Sequence, residues 1–535
     1  MSPDRDVRYE RVRPAARFAV VLLVTAVGVL TLLAACGPDL SNPPRLATAT
    51  AQESGAPTAT PEPLNLPAPT ATGEAGVIGE AAAATSEAME PNPTLTLWVN
   101  KTTPQYEAAL EEMIAAFSSD HAINVELVTM APDQFPDLVQ TAAVSPTYPL
   151  PDVMVLPLEY SIGWAEEGIL DAPAAQAIVE ELGPETFDQD ALGLVTVDGQ
   201  AVAVPSDGWQ QVFLYRSDWF EERGLAPPVD YSTILTAAAV ISDQANLIYS
   251  YNMPTESSLR ATTRRFEQMA IANGCQLIDD KGELLILEAE CQEALEFYRF
   301  LCNTYCPPGV QTEVSTLNAY LEGRAGMIMA SPGALVAIAG LDEEYRPSCE
   351  ACTTAGYLAE NTGVVTTISG RGPEASPENF GQMAYLGITR AADREAAEAF
   401  ARFWFNEGYL EWLAVEPERK VPMRRGTAAE PTRFIDSWYG LPLAADGRTL
   451  SDIYGEETAD LLARDVVNVD RWGYTQGAGT LITTIYENLT FSILLQELLS
   501  GYYDSSRAAI EGYKRLVELI PDYEYYVDPE ATPES

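Results

Sequence analysis

The sequence predicts an α/β fold organised as two lobes, and three observations support that prediction. Strand-like and helix-like patterns alternate from Thr94 onward, a mostly helical middle segment follows, and an apolar strand pattern returns at residues 325–330. Alternation of strands with helices implies a parallel sheet covered by helices. The 535 residues are 47% hydrophobic, which provides enough apolar surface for more than one domain-sized core.

The first lobe begins with strand–helix–strand repeats. Residues 95–99 have the alternation of a strand, and the apolar residues between 110 and 117 fall on one helical face. Residues 125–128 and 152–156 predict a second and a third strand. Residues 195–202 predict a hairpin, because an Asp-Gly pair at their centre favours a two-residue turn.

The later elements are mostly helical. An apolar stripe between residues 294 and 301 predicts one helix, and residues 325–330 predict a buried strand. Residues 391–405 form an Ala-rich amphipathic helix. Two further helices are predicted near residues 481–499 and 505–520.

The N-terminal segment has the order of parts found in a secretory signal. Five arginines precede an uncharged apolar run at residues 18–33, and Leu33-Ala-Ala-Cys36 closes that run. These four residues resemble a bacterial lipobox, so we expect residues 1–35 to be a signal peptide and Cys36 to be lipidated. A plain transmembrane anchor is the alternative, because the apolar run approaches a minimal membrane span. The prediction is a lipoprotein anchored at the extracytoplasmic face of the cell membrane.

Residues 36–93 predict a disordered tether that follows the lipidated cysteine. Their composition is dominated by Pro, Thr, Ala, Glu and Gly, with almost no aromatic residues. Such a segment cannot bury enough apolar surface to offset its ordering entropy. The two-lobe domain is therefore expected to span residues 94–535.

Composition excludes several classes of function. The formal net charge of −47 opposes nucleic-acid binding, which depends on basic residues that neutralise phosphates. The chain has a single histidine, His121 in a predicted turn, so a multi-histidine zinc site cannot form. A nucleophile–histidine triad would have to use that one turn residue. No phosphate-binding loop occurs, and we expect neither a cofactor nor a metal.

Six cysteines remain if Cys36 is acylated, and an even number in an oxidising compartment favours disulfides. Proximity in sequence suggests Cys275 with Cys291, Cys302 with Cys306, and Cys349 with Cys352. Two alternatives remain open. Cys349 and Cys352 could form a redox pair, or they could join Cys302 and Cys306 in a four-thiolate metal site.

Five segments in order resemble the maltose-binding-like extracellular solute-binding proteins of bacterial ABC importers. The resemblance covers most of residues 94–520. The segments are residues 95–98 with 124–127, residues 151–155 with 164–171, residues 203–205 with 214–228, residues 320–327, and residues 396–405.

This resemblance implies a periplasmic-binding-protein-like fold with crossover hinge strands and a ligand cleft between the lobes. Lobe 1 is expected at residues 94–205 and 357–405, and lobe 2 at residues 210–350 and 410–520. The implied partners are an ABC permease with its ATPase subunits, and the protein is expected to be a monomer that is not an enzyme. Ligand binding would bias a hinge closure between two states.

A carbohydrate is the expected ligand. The chain has 25 Tyr and 8 Trp, and such rings cover the apolar faces of sugars while carboxylates and amides bind the hydroxyl groups. Position at strand ends, at the presumed crossovers or in an aromatic loop selects the candidates. The candidate ligand-binding residues are Asn100, Lys101, Tyr160, Trp164, Asp207, Trp209, Tyr357, Trp472, Tyr474 and Gln476.

One departure from the resembled family concerns a stacking residue. Many members carry a tryptophan shortly after the strand that matches residues 325–330, whereas this chain has Ser331-Pro-Gly-Ala334. Loss of that ring would favour a smaller or less sugar-like ligand.

Two alternative functions stay open at this point. A membrane-tethered glycosidase would place two carboxyl groups across a sugar cleft and raise the pKa of one of them. A surface scaffold lipoprotein would have a flat or plugged cleft.

Overall fold

The structure is a computed structural model that describes residues 92–101, 103–466, 470–521 and 523. The predicted signal peptide, the lipidated Cys36 and nearly all of the predicted tether lie outside the described residues. Among the described residues, no helix is both long enough and apolar enough to span a membrane.

The described residues form twelve strands. They are β1 (Thr94–Val99), β2 (Asn124–Thr129), β3 (Val153–Pro157), β4 (Thr196–Val197), β5 (Gln200–Ala201), β6 (Val204–Gln210), β7 (Val212–Arg216), β8 (Tyr249–Asn252), β9 (Ala325–Ala330), β10 (Thr362–Val365), β11 (Gly381–Ile388) and β12 (Val421–Pro422).

Twenty α-helices accompany these strands in the described part of the chain. They are α1 (Pro104–His121), α2 (Phe135–Val144), α3 (Leu158–Glu166), α4 (Ala172–Leu182), α5 (Gln189–Gly193), α6 (Ser217–Arg223), α7 (Tyr231–Ile241), α8 (Arg260–Ala272), α9 (Ala289–Tyr305), α10 (Glu313–Leu321), α11 (Ala334–Ile338), α12 (Tyr357–Glu360), α13 (Arg394–Phe405), α14 (Tyr409–Ala414), α15 (Arg433–Trp438), α16 (Leu450–Tyr454), α17 (Glu456–Asp465), α18 (Gly479–Glu487), α19 (Thr490–Leu499) and α20 (Ser505–Leu519). Short 3₁₀ helices occur at Pro184–Thr186, Gln244–Asn246 and Pro417–Arg419.

Six strands form the sheet of the large lobe, in the order β12-β6-β11-β3-β1-β2. β1 is parallel to both β2 and β3, as strand–helix–strand alternation predicts. β11 runs antiparallel to β3 and β6. All five residues of β3 are buried, because this strand lies inside the sheet and has helices on both faces.

Four strands form the sheet of the small lobe, in the order β10-β7-β9-β8. β8 is parallel to β9, whereas β7 is antiparallel to β9 and β10. Two sheets, each covered by helices, confirm the predicted α/β fold in two lobes.

Two crossovers join the lobes side by side. Gln211 alone separates β6 from β7, and residues 366–380 return the chain from β10 to β11. The backbone N–H of Gln211 donates to the carbonyl of Phe380 at 2.8 Å, so the crossovers are hydrogen-bonded to each other.

Strand pairing differs from the expected lobe bounds at two places. β10 lies in a stretch expected in lobe 1, but it pairs with β7 in the small lobe. β12 lies in a stretch expected in lobe 2, but it pairs with β6 in the large lobe. Both strands are short, and their hydrogen-bond partners lie far away in the sequence, so local periodicity carries no information about their lobe.

The C-terminal helices contact both lobes. α18 packs on α3 of the large lobe, and the hydroxyl of Thr483 donates to the carbonyl of Glu159 at 2.7 Å. α19 and α20 pack on α8 and α9 of the small lobe. Leu489 joins α18 to α19 in a left-handed backbone conformation, with φ of 53°.

The cysteines form two disulfides among the described residues. Cys275 is bonded to Cys291 and Cys349 to Cys352, while Cys302 and Cys306 are free and buried. The expected bond between Cys302 and Cys306 is therefore absent. Helix α9 extends through Cys302 to Tyr305 and fixes the backbone between the two thiols, and the N–H of Cys306 donates to the carbonyl of Cys302.

Candidate functional site

The cleft between the two lobes contains two adjoining pockets. The Trp209 pocket has a volume of about 380 Å³, and the Gly333 pocket has a volume of about 440 Å³. Both volumes fall in the range of small-molecule sites. Five residues line both pockets: Lys101, Thr103, Glu313, Glu416 and Arg419.

Strand ends of the large sheet form one wall of the Trp209 pocket. Asn100 and Lys101 follow β1, Pro157 ends β3, and β6 contributes Asp207 and Trp209. The carboxyl ends of parallel strands meet at one edge of an α/β sheet, where ligands bind. The fold therefore brings these side chains together although they are far apart in the sequence.

Asp207 is held in a fixed orientation in this wall. The residue is 4% exposed, and its Oδ2 accepts hydrogen bonds from Ser206 Oγ at 2.7 Å and from Trp412 Nε1 at 2.6 Å. Burial raises the pKa of Asp207, and the ammonium group of Lys420 opposes that shift. The carboxylate is thus preorganised by the protein rather than free to rotate.

Lys420 lies beside Asp207 under a cover of aromatic rings. Its Nζ donates to the carbonyl of Trp412 at 2.9 Å and lies 3.6 Å from the centroid of the Trp412 ring. The centroid of the Tyr106 ring is 4.4 Å from the same Nζ. Burial lowers the pKa of Lys420 to about 7, so this lysine titrates near neutrality.

A charged turn at residues 416–420 projects into the cleft. Glu416 begins it with φ of 60° and ψ of 59°, and the 3₁₀ helix Pro417–Arg419 follows. A left-handed conformation is uncommon for a residue other than glycine, and such strain clusters at functional sites. The turn directs the side chains of Glu416, Glu418 and Arg419 toward the Gly333 pocket.

Glu416 neutralises two cations of the cleft. Its carboxylate lies 3.0 Å from Nζ of Lys101 and 3.8 Å from Nη1 of Arg419. Burial raises the pKa of Glu416, but Arg419 and Lys101 outweigh it, so the pKa lies below its usual value. Glu416 is therefore a carboxylate at neutral pH.

Glu418 has the opposite character. The residue is 3% exposed, and its Oε2 has no hydrogen-bond partner among the described residues. Burial and the nearby Glu416 raise the pKa of Glu418 to about 7. The pKa values of these two carboxyl groups are thus shifted in opposite directions, because Glu418 is more deeply buried and, among the described residues, the ion pairs with Lys101 and Arg419 are made by Glu416.

Helix α8 supplies the small-lobe side of the cleft. Arg264 pairs with the fully buried Glu159 of α3, whose Oε2 also accepts from Gln382 Nε2 at 2.6 Å. Arg265 pairs with Glu313 at 3.2 Å. The pair formed by Arg264 and Glu159 is a direct ionic contact between the lobes.

A family model described as bacterial extracellular solute-binding protein matches residues 112–444 of this sequence. The match includes every strand from β2 to β12, begins after β1 and Asn100, and extends over more than half of the chain. The chain belongs to that family. Members of this family bind solutes and do not catalyse reactions, so the solute-binding protein described here is not an enzyme.

Individual relatives of the solute-binding protein are distant. YcjN of Escherichia coli (strain K12), whose name describes an ABC transporter periplasmic-binding protein, is 25% identical over 428 residues, which cover 78% of this chain and 90% of YcjN. Maltose-bound MalE3 of T. maritima has a TM-score of 0.61 at 19% identity and covers 80% of this chain and 100% of its own. A laminaribiose-bound sugar transporter of Arthrobacter chlorophenolicus A6 has a TM-score of 0.63 at 16% identity, over 80% and 99%. These structures share the predicted periplasmic-binding-protein fold.

Four predicted ligand residues of the solute-binding protein meet at the Trp209 pocket. They are Asn100, Lys101, Asp207 and Trp209. They were found because strand ends and crossovers can be located from the sequence. Their role in ligand binding remains a proposal.

Tyr160 and Trp164 are not brought to the cleft. Their rings stack with centroids 4.7 Å apart inside the large lobe, and Trp164 Nε1 donates to Oε1 of Glu487 at 2.8 Å. Both residues follow β3, as expected, but α18 covers the helix on which they lie. This placement corrects the prediction, because contact with a helix more than 300 residues away decides their burial.

The aromatic loop at residues 472–476 also packs inside the protein. Trp472 Nε1 donates to the carbonyl of Cys275 at 2.8 Å, and the hydroxyl of Tyr474 donates to that of Leu158 at 3.0 Å. Gln476 lines neither pocket. The loop fills space between α8 and the large lobe, so the predicted ring platform is not available there.

Tyr357 lies in the small lobe, where it begins α12. Its hydroxyl donates to Oδ2 of Asp218 at 3.0 Å, and it lines neither pocket. The prediction placed Tyr357 at the return to the first lobe, whereas the return begins after β10. Tyr357 therefore belongs to the outer surface of the small lobe.

The charged turn at residues 416–420 was missed by the sequence analysis. Its signal is a run of four charged residues around one proline, directly after the apolar helix α14. A run of charges usually marks a solvated surface, so burial was not expected. Pairing of β12 with β6 pulls this turn over the cleft.

The described residues contain no group of three or more His, Cys, Asp or Glu side chains placed to hold a metal ion. The four-thiolate alternative is also inconsistent with the observed bond between Cys349 and Cys352.

Proposed function

We propose that the protein is an extracytoplasmic lipoprotein that captures a carbohydrate in the interlobe cleft and delivers it to an ABC permease. The observation that carries this proposal is the Trp209 pocket. It combines an aromatic face, a fixed carboxylate at Asp207 and a lysine within one cavity. A sugar offers C–H faces to the ring and hydroxyl groups to the charged atoms.

The relatives support the same ligand class. MalE3 of T. maritima was solved with maltose, and the protein of Arthrobacter chlorophenolicus A6 with laminaribiose. The name of YcjN supports association with an ABC transporter. Two open pockets also argue against a scaffold lipoprotein, which would have a flat or plugged cleft.

Calorimetry on the best hit of a thermal-shift sugar panel tests this proposal. Trp209→Ala should weaken binding by about tenfold, because an aromatic face lost from a desolvated site is worth about 1–2 kcal/mol. Trp219→Ala is the matched control, since Trp219 is also partly buried under an arginine but lies on α6, away from both pockets. Equal affinity of wild type and Trp209→Ala would contradict the site. Absence of any sugar binding would contradict the ligand class.

The lipid anchor is part of the proposal and has its own measurement. Intact-mass analysis of membrane-extracted protein should give an acylated chain that begins at Cys36. Recovery of material that begins at Met1 would contradict this.

A further inference from the structure

Arg419 lies at the boundary between the two pockets of the cleft. It lines both of them, and its guanidinium is 5.5 Å from the centroid of the Trp209 ring. That distance is within cation–π contact. One face of the Trp209 ring is therefore in contact with a side chain of the protein itself, while the ring still lines the Trp209 pocket.

The other side of Arg419 faces the small lobe. A Cβ placed on Gly333 would lie 3.1 Å from Cδ of Arg419 and 3.8 Å from its Nη1. Gly333 follows β9, whereas Arg419 belongs to the turn beside β12 of the large lobe. The arginine thus spans the cleft between Trp209 and Gly333, and the absence of a side chain at Gly333 provides the space.

Arg419 is held by contacts that a ligand can replace. Its partner Glu416 is 3.8 Å away and also binds Lys101 at the shorter distance of 3.0 Å. The side chain of Arg419 is 31% exposed. An exposed, shared ion pair contributes little to stability, so the cation–π contact with Trp209 is the main interaction that a passing ligand must replace.

We propose that Arg419 is a specificity-determining residue that divides the cleft and limits the ligand to one or two sugar units. The inference rests on the proposed function, because it assigns a length to the carbohydrate bound there. A short ligand fits within one pocket beside Arg419. A longer one must pass from the Trp209 pocket to the Gly333 pocket, and it must displace the guanidinium from the Trp209 ring.

A length series measured by calorimetry tests the proposal. The ligands are the one-unit to four-unit saccharides with the sugar and linkage of the best hit, applied to wild type and to Arg419→Ala. Wild type should bind the three-unit and four-unit members more weakly than the two-unit member. Arg419→Ala should bind those longer members about tenfold more tightly than wild type does, because the cation–π contact no longer has to be broken.

Two further variants test whether a changed length profile comes from the loss of Arg419 in the cleft rather than from the loss of any arginine or from misfolding. Arg425→Ala removes an arginine six residues further on, which pairs with Asp188 at 3.2 Å and lines neither pocket, and it should leave the length profile unchanged. Arg419→Gln is the second cleft variant, for use if Arg419→Ala does not fold. It should shift the profile in the same direction, since the cation is lost.

An unchanged length profile in the folded Arg419 variants would overturn the inference, as would a wild type that binds the four-unit saccharide best. These outcomes differ from failure of the proposed function, in which wild type binds no saccharide of any length.

Discussion

Burial shifts the pKa values of two cleft residues toward 7, one from below and one from above. The pKa of Glu418 rises to about 7, and the pKa of Lys420 falls to about 7. Between the unfolded pKa of Glu418 and pH 7, the native state binds more protons than the unfolded state, so stability falls as pH rises. Above pH 7 the buried Lys420 has lost its proton while the unfolded chain keeps it, so stability rises again. These two residues together predict a stability minimum near pH 7.

Replacement of Glu418 tests the predicted fall in stability between pH 4.5 and pH 7. The glutamine of Glu418→Gln cannot ionise. As pH rises from 4.5 to 7, the unfolding free energy of wild type should therefore fall by up to about 3 kcal/mol relative to that of the variant. Denaturant unfolding of both proteins across that range is the measurement. Parallel curves for the two proteins would show that Glu418 titrates at its ordinary pKa.

Residue positions set by strands were accessible from the sequence, and those set by distant contacts were not. Asn100 reaches the cleft because it follows β1, which local periodicity identifies, and Asp207 reaches it because it lies in β6, at the crossover. Trp164 and Trp472 were predicted in the same way from their positions in the sequence. However, α18 buries Trp164, and contacts with α8 and its neighbours bury Trp472. Because the sequence pattern does not reveal long-range contacts, it cannot distinguish a ring that lines a cleft from a ring that fills a core.

At the scale of elements, the contact of α3 with α18 depends on a glycine. A Cβ placed on Gly163 would lie 2.5 Å from Oγ1 of Thr483, which is far inside van der Waals contact. Helix propensity alone would favour alanine at Gly163. Close packing therefore overrides propensity at this position.

This contact predicts that Gly163→Ala destabilises the protein by about 1–3 kcal/mol through overpacking. Gly193→Ala is the control, because Gly193 also lies in a helix, α5, and a Cβ there meets nothing within 4 Å. The control should be neutral or stabilising by up to about 1 kcal/mol. Thermal unfolding compares the two variants, and equal destabilisation of both would contradict the packing argument.

The order of long elements was predictable, whereas the partners of short ones were not. The apolar residues of β1, β2 and β3 recur with strand periodicity, so the sequence predicts these strands. β12 has only two residues, yet its pairing with β6 moves the charged turn at residues 416–420 onto the cleft. The prediction for Cys302 and Cys306 failed for a similar reason. Proximity in sequence predicted a disulfide, but α9 fixes the backbone between the two thiols and they remain free.

At the scale of the whole molecule, a fully buried ion pair connects the small lobe to the crossover region. Arg471 Nε lies 2.8 Å from Oε1 of Glu267 on α8, and Nη1 of Arg471 donates to the carbonyl of Gly381 at 3.1 Å. Oε2 of Glu267 accepts from the hydroxyl of Tyr486 on α18 at 2.6 Å. One carboxylate therefore joins α8, α18 and the loop before α18.

Glu267→Gln should lower the free energy of unfolding by about 3–5 kcal/mol, because Arg471 is left as an uncompensated buried charge. Glu511→Gln is the matched control, since it breaks the surface pair with Lys514 and should cost less than about 1 kcal/mol. Denaturant unfolding measures both variants. A loss below about 1 kcal/mol for Glu267→Gln would show that the pair does not stabilise the junction of the lobes.

The junction between α18 and α19 makes the C-terminal segment a further covalent link between the lobes. α18 is bound to the large lobe through Thr483, and α19 to the small lobe through Ser492, whose hydroxyl lies 2.8 Å from that of Thr263. Two adjacent crossovers permit bending and twisting alike, and we expect a further link at a distance from them to resist the twist. If ligand binding closes the cleft, we expect a rotation about one axis that changes the angle between α18 and α19 at Leu489. A change in energy transfer between a fluorophore pair on α18 and α19 is therefore expected to accompany the binding of the proposed ligand, at a distance from the ligand itself.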